Sequence, residues 1–326
     1  MIGKLLLAAL FISTLITSPV AHAQVVESPS QRAARREVAV TFDDLPFVHV
    51  PSVEKQREMT HKLLRSVAAH DVPAVGFVNE NKLLNEGARD ERRVALLRMW
   101  TDAKLELGNH TFSHPDLHRT PLAAFQEDVV RGETDTRSLL QKSGKKLRYF
   151  RHPFLHTGRD IETKRAFEKF LAGRGYTVAP VTIDNSEWIF AAAYAKAAAR
   201  GDREMVKRIG EAYVPYMESY FAYYEQQSTA LFGREIKQTL LLHANAINAD
   251  YFDDLARMMK RRGYKFITLA DALTDEAYKS SDTFTGPGGI SWIHRWALTR
   301  GVKDDFFRGE PETPAFVLKE AGVASG

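Results

Sequence analysis

The sequence predicts an α/β fold, a parallel sheet of about seven strands with helices packed outside it. Two observations carry this. Short apolar, β-prone runs alternate with helical patterns about seven times along the chain. Most of these runs end in ionisable residues, always at the C-terminal tip. A βα barrel places its active site at that face.

The first run, Val38-Ala39-Val40-Thr41-Phe42, ends in Asp43-Asp44 and is followed by Leu45-Pro46. It reads as a buried strand delivering two acids. Neighbours on a strand point to opposite faces, so the backbone must leave β geometry for both acids to serve one site. Adjacent carboxylates repel unless a cation sits between them or one is protonated. The plainer reading of the pair is a turn or helix cap. A helical pattern over about 53–70 and a second strand over 73–78 follow. Asp90 can cap a helix to about 103, with Val94, Leu97 and Met99 on its apolar positions. Residues 105–110 form a third strand ending in Gly108-Asn109-His110. Thr120-Pro121 opens a helix, with Pro at its first position, expected to run to about 142.

A fourth strand covers 147–151, a helix 161–172, and a fifth strand 176–183. A long helical region spans about 188–232, with breaks expected near Gly201-Asp202 and at Pro215. The sixth strand is 239–243, a helix covers about 250–262, and 264–267 is the seventh strand. No Gly-x-Gly-x-x-Gly follows the first strand, which leaves a dinucleotide fold without its signature.

Lys4, the apolar stretch 5–16 and Ala21-His22-Ala23 before Gln24 form the three regions of a signal peptide. Export, periplasmic or extracellular, is therefore expected, with cleavage after Ala23. No other stretch suits a membrane span. The organisation expected is a signal peptide over 1–23 and a polar linker over 24–37. A catalytic barrel over 38–279 follows, with a helical insertion at 189–235, and then a C-terminal extension over 280–326. There is no Cys, which excludes a cysteine nucleophile and any thiolate metal site. The net charge is +4, and the basic runs at 32–36 and 142–148 are short with little aromatic interleaving. Nucleic acid is not an expected partner.

Chemistry-bearing residues collect at the strand tips: Asp43 and Asp44, His110 and His114, Arg151, Asp184 and Trp188, and His243. Two imidazoles four residues apart, with one carboxylate from Asp43 or Asp44, make a three-ligand set that leaves positions open for water, as in hydrolytic zinc sites.

In this order the blocks Thr41-Phe42-Asp43-Asp44, His110-Thr111-Phe112-Ser113-His114, Arg151-His152-Pro153-Phe154, Asp184-Asn185-Ser186-Glu187-Trp188 and Leu242-His243 resemble the five motifs of the polysaccharide deacetylases of the NodB-homology group, carbohydrate esterase family 4. The resemblance runs from about Val38 to Leu273. It implies a distorted (β/α) barrel, here of about seven parallel strands with a long helical insertion and a C-terminal tail. It implies Asp43 as general base, and Asp44, His110 and His114 as ligands of a divalent metal. It implies His243 as general acid, Arg151 orienting Asp43 and lowering its pKa, and Asp184 orienting His243 and raising its pKa. Trp188 and Leu242 would wall a pocket for the acetyl methyl, and the Phe154 N–H would hold the oxyanion. Asp/His₂ ligation suits Zn²⁺, and also Co²⁺, Ni²⁺ or Mn²⁺. Leu45, Leu155, Ala244 and Glu187 depart from the common motif residues and bear on substrate and subgroup.

The expected function is removal of N-acetyl groups from amino-sugar glycans such as peptidoglycan, chitin or poly-N-acetylglucosamine. The alternatives are O-deacetylation of a polysaccharide, deformylation of a lipid-linked amino sugar and, from another class, a glycan-binding module with a decayed site. The tyrosines at 213, 216, 220, 223 and 224, with Phe221, have helical spacing and read as a buried stripe. The rival reading is a cap whose aromatics stack on sugar rings. His49, His118, His152 and His156 are not read as ligands. Trp292, His294 and Trp296 are read as anchors that pack the tail back on the barrel.

Overall fold

The computed structural model describes residues 36–324. The expected signal peptide and linker residues 24–35 lie outside the described residues.

The first strand, β1 (Arg36–Leu45), has Val38, Ala39, Val40 and Phe42 at 1% exposure or less. Its two faces are both covered, which is why the run is apolar without alternation. After α1 (Val53–Ala69) come β2 (Val75–Val78) and a separate small hairpin of β3 (Leu84–Asn85) and β4 (Ala88–Arg89). Then follow α2 (Glu91–Asp102), β5 (Glu106–Asn109), α3 (Leu122–Arg131), α4 (Thr134–Lys142), β6 (Tyr149–Phe150), α5 (Ile161–Gly173) and β7 (Thr177–Val178). The second half contains α6 (Glu187–Ala199), α7 (Arg203–Phe232), β8 (Gln238–His243), α8 (Ala246–Arg261), β9 (Tyr264–Phe266), α9 (Leu269–Ala272), α10 (Trp292–Thr299) and α11 (Ala315–Ala321).

The main sheet is seven-stranded, in the order β7-β6-β5-β2-β1-β8, with β9 joined to the start of β1, and its pairs are parallel. It curls, and Ile183 pairs with Leu240 of β8 through Leu241 N–H donating to Ile183 O at 3.3 Å. The expected fifth strand, 176–183, is therefore two pieces. Its start pairs with β6 and its end crosses to the opposite edge, with Pro180, which has no N–H to give to a ladder, between them.

Two other expectations are corrected. The helix expected to reach residue 142 is divided into α3 and α4. At the division a Cβ on Gly132 would lie 2.7 Å from the Thr111 carbonyl carbon, so only glycine lets the chain pass this close. The break expected at Pro215 does not occur, and α7 runs through it. Pro215 faces outward, while Tyr213, Tyr216, Met217 and Tyr220 are buried. Burying several aromatic side chains outweighs the cost of about 3 kcal/mol for an interior proline.

The α7 tyrosines form a buried stripe, each at 6% exposure or less. Their hydroxyls hold the tail: Tyr220 donates to Pro311 O at 3.0 Å, and Tyr223 lies 3.0 Å from His294 Nε2. Trp292, His294 and Trp296 are buried beneath the same layer. No helix among the described residues is long and apolar enough to cross a membrane.

Candidate active site

At the tip of β1 the register with β2 shifts between Phe42 and Leu45, and Asp44 takes a left-handed φ of 66°. Asp tolerates that region better than most residues. The turn brings both carboxylates into one cavity of about 1000 Å³.

At the tip of β5, His110 and His114 stand on a loop with their ring centres 4.8 Å apart. Thr111 and His114 have φ of 69° and 58°. The loop is held from behind: the Asp128 carboxylate accepts from Phe112 N at 2.9 Å and from Ser113 N at 2.8 Å. His110 Nδ1 donates to Arg151 O at 2.8 Å, which aims Nε2 at the cavity. The Nε2 atoms of His110 and His114 lie 3.8 and 3.7 Å from Asp44 Oδ1. Two atoms about 2.1 Å from one zinc at a tetrahedral angle stand roughly 3.4 Å apart. Asp44 Oδ1 is buried without a hydrogen-bond partner, as is Asp43 Oδ1. An orphaned carboxylate oxygen facing two imidazole nitrogens fits a divalent cation.

Lys82, which carried no signal in the sequence, puts Nζ 3.3 Å from Asp44 Oδ1. Burial pushes the Asp44 carboxyl up, but Lys82 and the two histidines outweigh it and hold it well below the usual range. A second cluster, Asp116, His118 and His156, has its donor atoms equally close. There the two imidazoles stack face to face at 3.8 Å and 6°. Parallel rings send their in-plane lone pairs side by side rather than to one point, and His156 Nδ1 is already engaged with Asp116 at 2.7 Å.

Arg151, fully buried at the end of β6, places Nη1 3.5 Å from Asp43 Oδ2 and donates through Nη2 to Thr41 Oγ1 at 2.9 Å. The pairing matches the resemblance and Arg151 acts to lower the Asp43 carboxyl as implied, but burial outweighs it. Burial pushes the Asp43 carboxyl up to about 6, and Arg151 offsets only part of that rise.

The partner of His243 is corrected. Its Nδ1 lies 2.7 Å from Glu187 Oε2, not from Asp184. Glu187 is the first residue of α6, 1% exposed, and its other oxygen accepts from Asn248 Nδ2 at 2.7 Å and from Asn245 Nδ2. Asp184 lies in the turn before α6 and accepts from Asn185 N at 2.9 Å. Burial and then the nearby Glu310 push its carboxyl up to about 7. Burial pulls the His243 imidazole down, yet Glu187 outweighs it and raises it to about 9. Removing that carboxylate takes away the largest raising influence and leaves only Asp44 and Asp43 against burial. Glu187→Gln is thus expected to lower the His243 pKa from about 9 toward its unperturbed value of about 6.5 in an NMR titration.

Trp188 lines the cavity and is half-exposed. Leu242 does not line it. Side chains alternate along β8, so Leu241 faces the cavity and Leu242 is fully buried in the core. Phe154 lies at the rim with a φ of 57°, its ring edge-on to His114 at 4.5 Å. The tail supplies a wall that sequence reading missed, including His294, Glu310 and Thr313. Tyr220 also reaches the lining while remaining 4% exposed.

With this geometry in hand, comparison with known proteins is specific. Residues 30–168 match the polysaccharide deacetylase family model. That stretch holds Asp43, Asp44, His110, His114, Arg151 and Phe154. A chitin deacetylase of Colletotrichum lindemuthianum is 30% identical over 173 residues, 52% of this chain and 61% of that protein. A peptidoglycan-N-acetylglucosamine deacetylase of Bacillus cereus is 25% identical over 167 residues, 51% of this chain and 50% of that protein. The chain thus spans between half and three-fifths of the length of these relatives. The solved structure of the Colletotrichum lindemuthianum chitin deacetylase superposes with a TM-score of 0.50 at 22% identity, covering 73% of this chain and 87% of that one, which shows the shared fold.

Proposed function

We propose that this protein, whose residues 30–168 match the polysaccharide deacetylase family model, is an exported, metal-dependent hydrolase. It removes N-acetyl groups from amino-sugar glycans of the chitin or peptidoglycan type. The observation that carries the reading is Asp43 and His243 facing one cavity beside a His₂Asp donor set, each backed by a buried partner, Arg151 and Glu187.

Asp44, His110 and His114 would hold the cation, most simply Zn²⁺. When bound there, it supplies Lewis acidity to a carbonyl and lowers the pKa of water. Asp43 receives the proton of the attacking water, and the Arg151 guanidinium keeps its carboxylate oriented. The Phe154 N–H donates to the carbonyl oxygen as charge develops on it. His243, with Nδ1–H given to Glu187, delivers the Nε2 proton to the leaving nitrogen. An amine leaves poorly unless protonated, and an imidazolium whose pKa is raised to about 9 is charged at neutral pH. That favours an amide over an ester substrate, since an alkoxide needs less help.

The test is acetate release by the mature chain from N-acetylglucosamine oligomers and from peptidoglycan, set beside O-acetylated xylan and an N-formyl amino sugar. Release from the N-acetyl glycans is expected to dominate. Release from the ester or formyl substrate alone moves the activity to those bonds, and glycan binding without release supports the binding-module reading.

A further inference from the structure

The C-terminal extension lies outside the matched region, yet it grips the loop that presents Phe154. Phe154 and Leu155 are consecutive non-glycine residues with φ of 57° and 54°. Such a pair persists only where the surroundings over-determine it. Arg295, on α10 and 1% exposed, donates through Nη1 to Leu155 O at 3.2 Å and through Nη2 to Thr157 Oγ1. Its Nε donates to Asp282 Oδ2 at 2.8 Å, and the same oxygen lies 2.7 Å from Nζ of Lys164, which is 2% exposed. The guanidinium is stacked on the Trp292 ring at 4.5 Å. The grip is anchored to the barrel, because Trp292 N–H donates to Val181 O at 2.7 Å and Ser291 Oγ–H to Thr182 O at 2.7 Å. On the other side of the loop Gly289 lies against Phe154 itself, where an added Cβ would stand 1.8 Å from Phe154 O.

The geometry points to Arg295 and Gly289 as positioning residues for the reaction: the tail clamps the 153–157 loop so that the Phe154 N–H faces the reacting carbonyl. The clamp rests on the deacetylase reading above. A fork of guanidinium donors fixes the direction of two loop acceptors at once, and a lysine cannot reproduce that fork. Glycine is needed at 289 because any side chain would push away the Phe154–Leu155 peptide, and with it the Phe154 Cα on which the neighbouring Phe154 N–H is carried.

The test is Gly289→Ala beside Gly288→Ala, whose added Cβ meets nothing within 4 Å. Gly289→Ala is expected to bind one metal per chain and to keep KM within about two-fold. Its kcat should fall about 10²-fold, the loss of one oxyanion donor. Gly288→Ala should match the parent. Arg295→Lys, which keeps a cation beside Asp282, should lower kcat in the same way. A Gly289→Ala enzyme with parental kcat, or one whose loss appears in KM or metal content, overturns the clamp. A parent without deacetylase activity overturns the proposed function instead, and with it this role.

Discussion

Asp43→Asn is expected to lower acetate release by about 10² to 10⁴, the range for losing a positioned general base. The substitution keeps the shape of the side chain, so β1 and its register with β8 should be unaffected. In the proposed mechanism, what it removes is the acceptor for the proton of water. It also leaves Arg151 without its charged partner in a fully buried position, which is expected to lower stability without unfolding the chain. Metal content should stay at one per chain, because the proposed donor set is Asp44, His110 and His114. Kinetics and metal analysis on one preparation separate the two roles. Full activity in Asp43→Asn would remove Asp43 from the chemistry, and loss of metal would make it a ligand.

The second large effect belongs to His114→Ala. His114 is the less buried of the two imidazoles, with a side chain 25% exposed against 3% for His110. The fold should tolerate its removal better. Losing an outer partner of a metal ligand typically costs 10-fold to 100-fold in affinity, so losing a ligand itself should cost more than about 100-fold. The expected result is a calorimetric Zn²⁺ affinity weakened beyond that range, with activity restored only in excess metal. An unchanged affinity would place the metal elsewhere.

Much of this site was legible from strand tips. The apolar run to Phe42, followed by Asp43-Asp44, marks a buried parallel strand because such strands are covered on both faces. The His-x-x-x-His spacing marks a shared direction. Three features were not legible. Which carboxylate reaches His243 depends on where α6 begins, since Glu187 projects from its first turn while Asp184 remains in the loop. The direction of the Asp43 shift depends on total burial, which a neighbouring Arg in the motif does not reveal. Which of Leu241 and Leu242 faces the cavity is a matter of register, and one residue reverses it. The tail was harder still. Its aromatic anchors are visible in sequence, but the contact of Gly289 with Phe154 O joins residues 135 positions apart through tertiary packing. Pro215 shows the same limit, because local propensity gave way to the buried tyrosine face of α7.

The central claim, that one divalent cation on Asp44, His110 and His114 is required for amide hydrolysis in this cavity, is tested most directly by titration. Metal-stripped protein is mixed with increasing Zn²⁺ while acetate release from N-acetylglucosamine oligomers is followed. The account predicts no release without metal and a rise that saturates at one equivalent per chain. Release by the stripped protein, or none at saturating metal on any N-acetyl glycan, would contradict it.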